Sequence, residues 1–189
     1  MQAKSSGQDG YAAVCKRRGG LAAGAVAAGD YVAVARDKQG RVKWVDQIHN
    51  LITDEGLRRL LSTTLGGASG DAKVNTWYLG LVAPSPTFNG ADAMDSHAGW
   101  TEVIAYAESA RQAWTPAAAT TTISNTASPA VFTCSTDDTQ IAGAFLTSDA
   151  TKGGTAGHLF AAGAFAGGAK TLDDGDTLTL TAAYSLARS

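Results

Sequence analysis

Apolar and polar positions alternate along this chain in short runs, most with a period of two. In Arg41–Val45, Val42 and Trp44 fall on one face while Arg41 and Lys43 fall on the other, the pattern of a half-buried strand. Tyr31–Ala35 is a second strand-like run, and between them Asp37-Lys38-Gln39-Gly40 makes a four-residue turn ending in glycine. Together they predict a hairpin. The period changes once. Thr53 suits an N-cap, and Asp54 and Glu55 complement the positive end of a helix dipole. Ile52 and Leu57 are placed for a hydrophobic staple, and Gly66-Gly67 supplies a left-handed stop. Leu57, Leu60, Leu61 and Leu65 form one stripe, with Arg58 and Arg59 pointing outward. The spacing predicts one amphipathic helix at about 53–65, packed through its leucines on a sheet.

Everything after the helix reads as strands: Thr76–Val82, Thr101–Tyr106, Thr120–Ser124, Ala130–Cys134, Gln140–Leu146, Gly157–Ala161 and Asp176–Ala182. Ser128-Pro129, Asp137-Asp138, Lys152-Gly153-Gly154, Gly167-Gly168 and Asp173-Asp174-Gly175 separate them. Many short Thr/Val/Phe strands with such punctuation indicate a mainly β fold, a jelly-roll-like antiparallel β-sandwich carrying the one helix. No βαβ alternation is present, which argues against a nucleotide-binding parallel sheet. Residues 1–29, with Gly at 7, 10, 19, 20, 24 and 29 and no sustained period, read as an extended Gly/Ala-rich arm preceding a sandwich domain at 30–189. Such an arm has no core of its own and is expected to order against a partner.

A length of 189 residues, 44% apolar and 17% charged, fits one domain, large enough to fold without a disulfide or metal. The longest apolar stretch, Leu21–Ala28, is far short of the ~20 residues of a membrane span. With Lys16-Arg17-Arg18 before it, it has the outline of a signal peptide, but Ala and Gly make too weak an apolar region, and no cleaved leader is expected. Residues 1–66 hold ten Lys/Arg and six Asp/Glu, and the rest five and eleven, for −2 in all. That modest basic lead argues against nucleic acid as the partner; Lys16, Arg17 and Arg18 are instead the candidate partner-binding residues, toward carboxylates. Cys15 and Cys134, 119 positions apart, form neither a metal motif nor a disulfide framework, as in a reducing cytosol.

Candidate chemistry is sparse. No glycine-rich stretch has a P-loop ending or dinucleotide-binding context. Asp92, Asp95, His97 and Glu102 carry the types needed for a hard cation or a general base, but without defined ligand spacing; they read instead as a polar surface loop in which Asp92 and Asp95 make local backbone turns. Asp173-Asp174-Gly175-Asp176 lacks the alternation and distal Glu of a calcium loop and reads as a hairpin turn. His49 and His158 have no nucleophile to serve. Trp44, Trp77, Trp100 and Trp114 lie in or beside apolar runs and read as core anchors rather than as a stacking platform. No enzyme and no cofactor is expected.

Asn50–Leu61, Trp77–Val82, Ser96–Glu102, Arg111–Pro116, Ala144–Thr147 with Lys152–Thr155, and Leu172–Leu178 together resemble a family of small virion structural proteins of tailed bacteriophages, over about residues 42–184. The resemblance implies a place in the particle: a capsid cement or decoration protein on the head surface, made in the host cytoplasm. Its partners would be the major capsid protein and further copies of itself, as a dimer or trimer. A tail, tail-fibre or head-fibre component that attaches to host surface glycans is the alternative. The resemblance implies no catalytic residues, and the arm lies outside it.

Overall fold

The computed structural model describes residues 25–66, 71–117 and 120–188. In chain order the strands are β1 (Ala25–Arg36), β2 (Val42–His49) and β3 (Leu51–Ile52), then helix α1 (Asp54–Leu65) and β4 (Trp77–Val82). There follow β5 (Glu102–Val103), β6 (Gln112–Trp114), β7 (Thr122–Ser124), β8 (Ala130–Thr133) and β9 (Thr139–Ile141). The last are β10 (Gly143–Thr147), β11 (Leu159–Ala164), β12 (Lys170–Leu172) and β13 (Thr177–Arg188). One sheet has the order β2-β1-β13, with β7 and β8 sharing the far edge of β13. The other has the order β3-β11-β10-β4, with β5 and β6 sharing the far edge of β4, and β9 and β12 form a separate ribbon. All these pairings are antiparallel. The fold is thus mainly β, an antiparallel sandwich whose chain repeatedly crosses between two sheets, with one helix among the described residues.

The core lies where the inward sets of both sheets meet. Tyr31, Ala33 and Ala35 of β1 and Leu178, Leu180, Ala182 and Tyr184 of β13 face Leu79, Leu81, Ala144, Leu146 and Ala161 of the second sheet. The second sheet is also covered on its other face. There Val82, Phe145 and Ala162 pack with Met94 and Trp100 from the long loop after β4. A sheet buried twice explains why β10 and the end of β4 are apolar without alternation. Gly80 is needed in it, since a Cβ there would lie 2.3 Å from the Phe145 ring. Arg111 closes this layer: it is buried, its guanidinium 5.2 Å from the Phe145 ring centroid. It donates to both Glu102 oxygens at 2.9 and 2.8 Å and to the Asp149 and Gly154 carbonyls at 3.0 and 2.6 Å.

Several expectations change. β1 begins at Ala25 and pairs over twelve residues with β13, from Ala25 opposite Arg188 to Arg36 opposite Thr177. Residues 25–29 therefore belong to the sandwich and not to an arm; Gly29 lies against the Tyr184 ring, and a Cβ there would be 2.5 Å from it. Residues 1–24, with Cys15, Lys16, Arg17 and Arg18, lie outside the described residues. The turn at 37–40 is present, with Gly40 at φ 78° donating to the Asp37 carbonyl at 2.8 Å. A register shift between Ala35 and Arg36 breaks the alternation of β2, as an extra residue on one strand must. Val42 is exposed, and Lys43 reaches Asp173 and Asp176.

The helix keeps its predicted caps, Thr53 accepting from the Gly56 N–H at 3.0 Å, but only half of its predicted face: Leu57 packs on the core and Leu60 is half-buried. Gly56 and Arg59 are buried, whereas Leu61 and Leu65 are 59% and 77% exposed. Gly56 brings the helix backbone against β11, where a Cβ would meet the Phe160 carbonyl oxygen at 2.2 Å. That contact turns Arg59 inward, where Glu55, Asp71 and His158 surround its guanidinium. The turn at Asp173–Asp176 precedes the last strand but joins β12 and β13, which pair with different partners, so it is a corner and not a hairpin.

Removing one member of a buried ion pair leaves the other charge uncompensated, at a cost of ~3–5 kcal/mol. Arg111→Ala is expected to lose that much stability in urea unfolding, and Arg111→Leu combined with Glu102→Leu to lose clearly less. A single variant as stable as the parent would show that the pair does not hold the outer layer.

Candidate functional site

The four loop residues with the types for metal or base chemistry do not converge. Glu102 is spent on Arg111 and on the Gly153 N–H, which donates to it at 2.8 Å. Asp92 accepts from the Trp100 indole at 3.1 Å and from the Asn89 N–H at 3.0 Å. His97 stacks on the Trp100 ring with centroids 3.9 Å apart, its Nδ1 3.0 Å from the Trp100 carbonyl. Asp95 is exposed. Asp92, His97 and Glu102 thus fasten loops to the outer face of the second sheet. Among the described residues no group of three or more His, Cys, Asp or Glu side chains is placed to hold a metal ion.

A second polar cluster lies at the corner before β13. Lys43 takes Asp173 at 2.8 Å together with buried Asp176, while Lys38 takes Asp174 at 3.3 Å. Hydrogen bonds to Asp173 and then Asp176 push the Lys43 amine up to about 12, and the same lysine holds the Asp173 carboxyl below the usual range. The third cluster was not legible as a unit. Glu55 and Arg59 have the i,i+4 spacing of a helical ion pair, but His158 is brought to both from 99 or more positions away. His49 pairs with Asp30 at 2.6 Å, and Cys134 is a buried free thiol. The tryptophans are packing anchors, with edge contacts of Trp44 to Phe165, Trp77 to Phe160 and Trp114 to Tyr184.

Two apolar features remain uncommitted. One is a groove of about 510 Å³ at the end of the sandwich, walled by Trp77, Trp114, Phe160 and Tyr184 and rimmed by Ala27 and Leu186. Its rim carries Ala27 and Ala28 of β1. The other is the outer face of the first sheet, where no described layer covers Val32, Val45 and Val131. No helix among the described residues is long and apolar enough to cross a membrane.

Acid should loosen the contacts between the strands and the loops. Burial opposes the charge of Asp46, yet hydrogen bonds from the Gln47 N–H, the Lys170 ammonium and the Gly167 N–H outweigh it and hold the carboxyl below its ordinary value. Stability from a depressed carboxyl is present above the unfolded pKa of about 3.9 and is lost as pH falls through the folded value. Melting temperature is therefore expected to hold from pH 7 to 5 and to fall below about pH 4. Asp46→Asn should start lower at pH 7 and fall less steeply, and parallel curves for the two proteins would remove Asp46 from the account.

Compared with known proteins, the chain matches no family model, no curated protein and no solved structure.

Proposed function

We propose that this protein is a structural component of a phage particle, a capsid cement or decoration protein that binds the outside of the major capsid shell and stabilises it. The observation that carries this reading is the division of labour on the surface. The acidic clusters and His97 and His158 are engaged in fastening loops and corners, while the groove and the outer sheet face are left for contact with other chains. The resemblance of residues 42–184 to small virion structural proteins supports the same reading. A shell loaded by packaged DNA needs a clamp that does not deform, and a sheet packed on both faces makes a stiff body. Residues 1–24 precede β1 in the chain and carry Lys16, Arg17 and Arg18, which are proposed to pair with carboxylates on the shell. Ordering such a segment costs conformational entropy, which contacts made only on the particle would offset.

Copy number in purified particles tests the role. A cement protein is expected in hundreds of copies that stay with emptied heads; a few dozen copies in the tail fraction would establish the tail or fibre alternative instead. Deletion of residues 1–24, the boundary that β1 sets, should shift the melting temperature of the body by no more than a few degrees and reduce its occupancy on heads. Charge reversal at Lys16, Arg17 and Arg18 should weaken binding most at low salt, as exposed pairing requires. Full occupancy by a folded truncation would end the clamping role of the segment.

A further inference from the structure

The outer face of the first sheet is unusual for one turned to solvent. Register places Val45, Val34, Thr179 and Val131 in one row across β2, β1, β13 and β8. The next row holds Gln47, Val32 and Thr181. Val32, Val45 and Val131 are 39%, 58% and 42% exposed. Exposed sheet faces ordinarily carry charges that discourage association. Here the two central rows carry none, and on β1 formal charge stands only at Asp30 and Arg36, which flank Val32 and Val34 on the same face. Both are exposed: Asp30 is paired with His49 at the sheet margin, and Arg36 donates to the Gly40 carbonyl.

We infer that this face binds the same face of a second copy of the chain, in a two-fold dimer whose axis lies in the contact plane and crosses β1 at Ala33. Such an axis reverses the strand direction of the partner. Val34 then packs over the partner's Val32, and Asp30 faces the partner's Arg36 twice, once on each side of the axis. An acid and a base equidistant from a neutral centre are what a self-complementary surface requires. Asp30 and Arg36 are six residues apart, ~20 Å along a strand, and four strands span about the same width, so each copy contributes roughly 400 Å². Two such footprints lie below the ~1,200 Å² of a standard interface, in the size class of weak, exchanging contacts. The inference rests on the register and exposure of this sheet, and it stands or falls apart from the place of the protein in a particle.

Sedimentation equilibrium of the full chain, from low micromolar to near-millimolar concentration, tests it. Association is expected to be reversible and to stop at two copies. Val34→Lys, with an unchanged melting temperature, should abolish it by setting like charges near the axis. Asp30→Arg and Arg36→Asp should each weaken it by roughly tenfold, and the double reversal should restore it to within about threefold, because the swap recreates both cross-pairs. A wild-type chain that stays monomeric would overturn the inference, as would a dimer indifferent to Val34→Lys or a double reversal no better than its parents. A monomeric chain whose Val34→Lys variant no longer binds particles would assign the face to a different protein and overturn the second-copy partner.

Discussion

The six-stranded sheet must be dry on both sides, and most of the molecule follows from that. Its strands carry apolar residues on both faces, Leu79, Leu81 and Leu146 on one and Val82, Phe145 and Ala162 on the other. One face is satisfied by the first sheet. The other has no second sheet to meet, so the long loop after β4 folds back over it and supplies Met94 and Trp100. A loop laid on an apolar surface must still satisfy its own polar groups. Asp92 with Trp100, and Arg111 with Glu102 and the Asp149 and Gly154 carbonyls, meet that demand.

The same demand accounts for the polar residues that look chemically promising. Glu102 neutralises a buried guanidinium, His97 lies flat on an indole, and Asp173 and Asp176 anchor Lys43 at a corner. Each is held by partners that a substrate or ion would have to displace. The helix uses its charges likewise. Because Gly56 lets its backbone touch β11, the face it presents inward contains Arg59, and the acids around that guanidinium make the burial tolerable. Two leucines of the apparent apolar stripe are left outside.

What remains for intermolecular work is apolar and geometrically simple: a groove at one end of the sandwich and a valine–threonine face on its side. They lie on different parts of the body, which would let one protein engage two neighbours at once. A lattice-bound structural protein makes many weak, repeated contacts, and the proposed role in a particle uses surfaces of this kind.

The sequence alone determined what depends on neighbours in the chain. The turn at Asp37–Gly40, the Thr53 cap, the existence of one helix and the strand-rich sandwich class are all set by local backbone chemistry and short-range period. The strand partners of the hydrophobic runs were not legible, because pairing is a contact between distant segments. β1 could be seen to reach Ala25 only once Tyr184–Arg188 lay beside Ala25–Gly29. β3, β6 and β12, of two or three residues each, exist as strands because a neighbour offers them hydrogen bonds. The inward turn of Arg59 depended on a glycine meeting a carbonyl over a hundred positions away, and the role of Glu102 on a guanidinium whose burial no local pattern announces. Candidate acids and bases were visible as residue types, but whether they were free for chemistry was decided by tertiary structure, because only folding determines which charges lose water and must find each other.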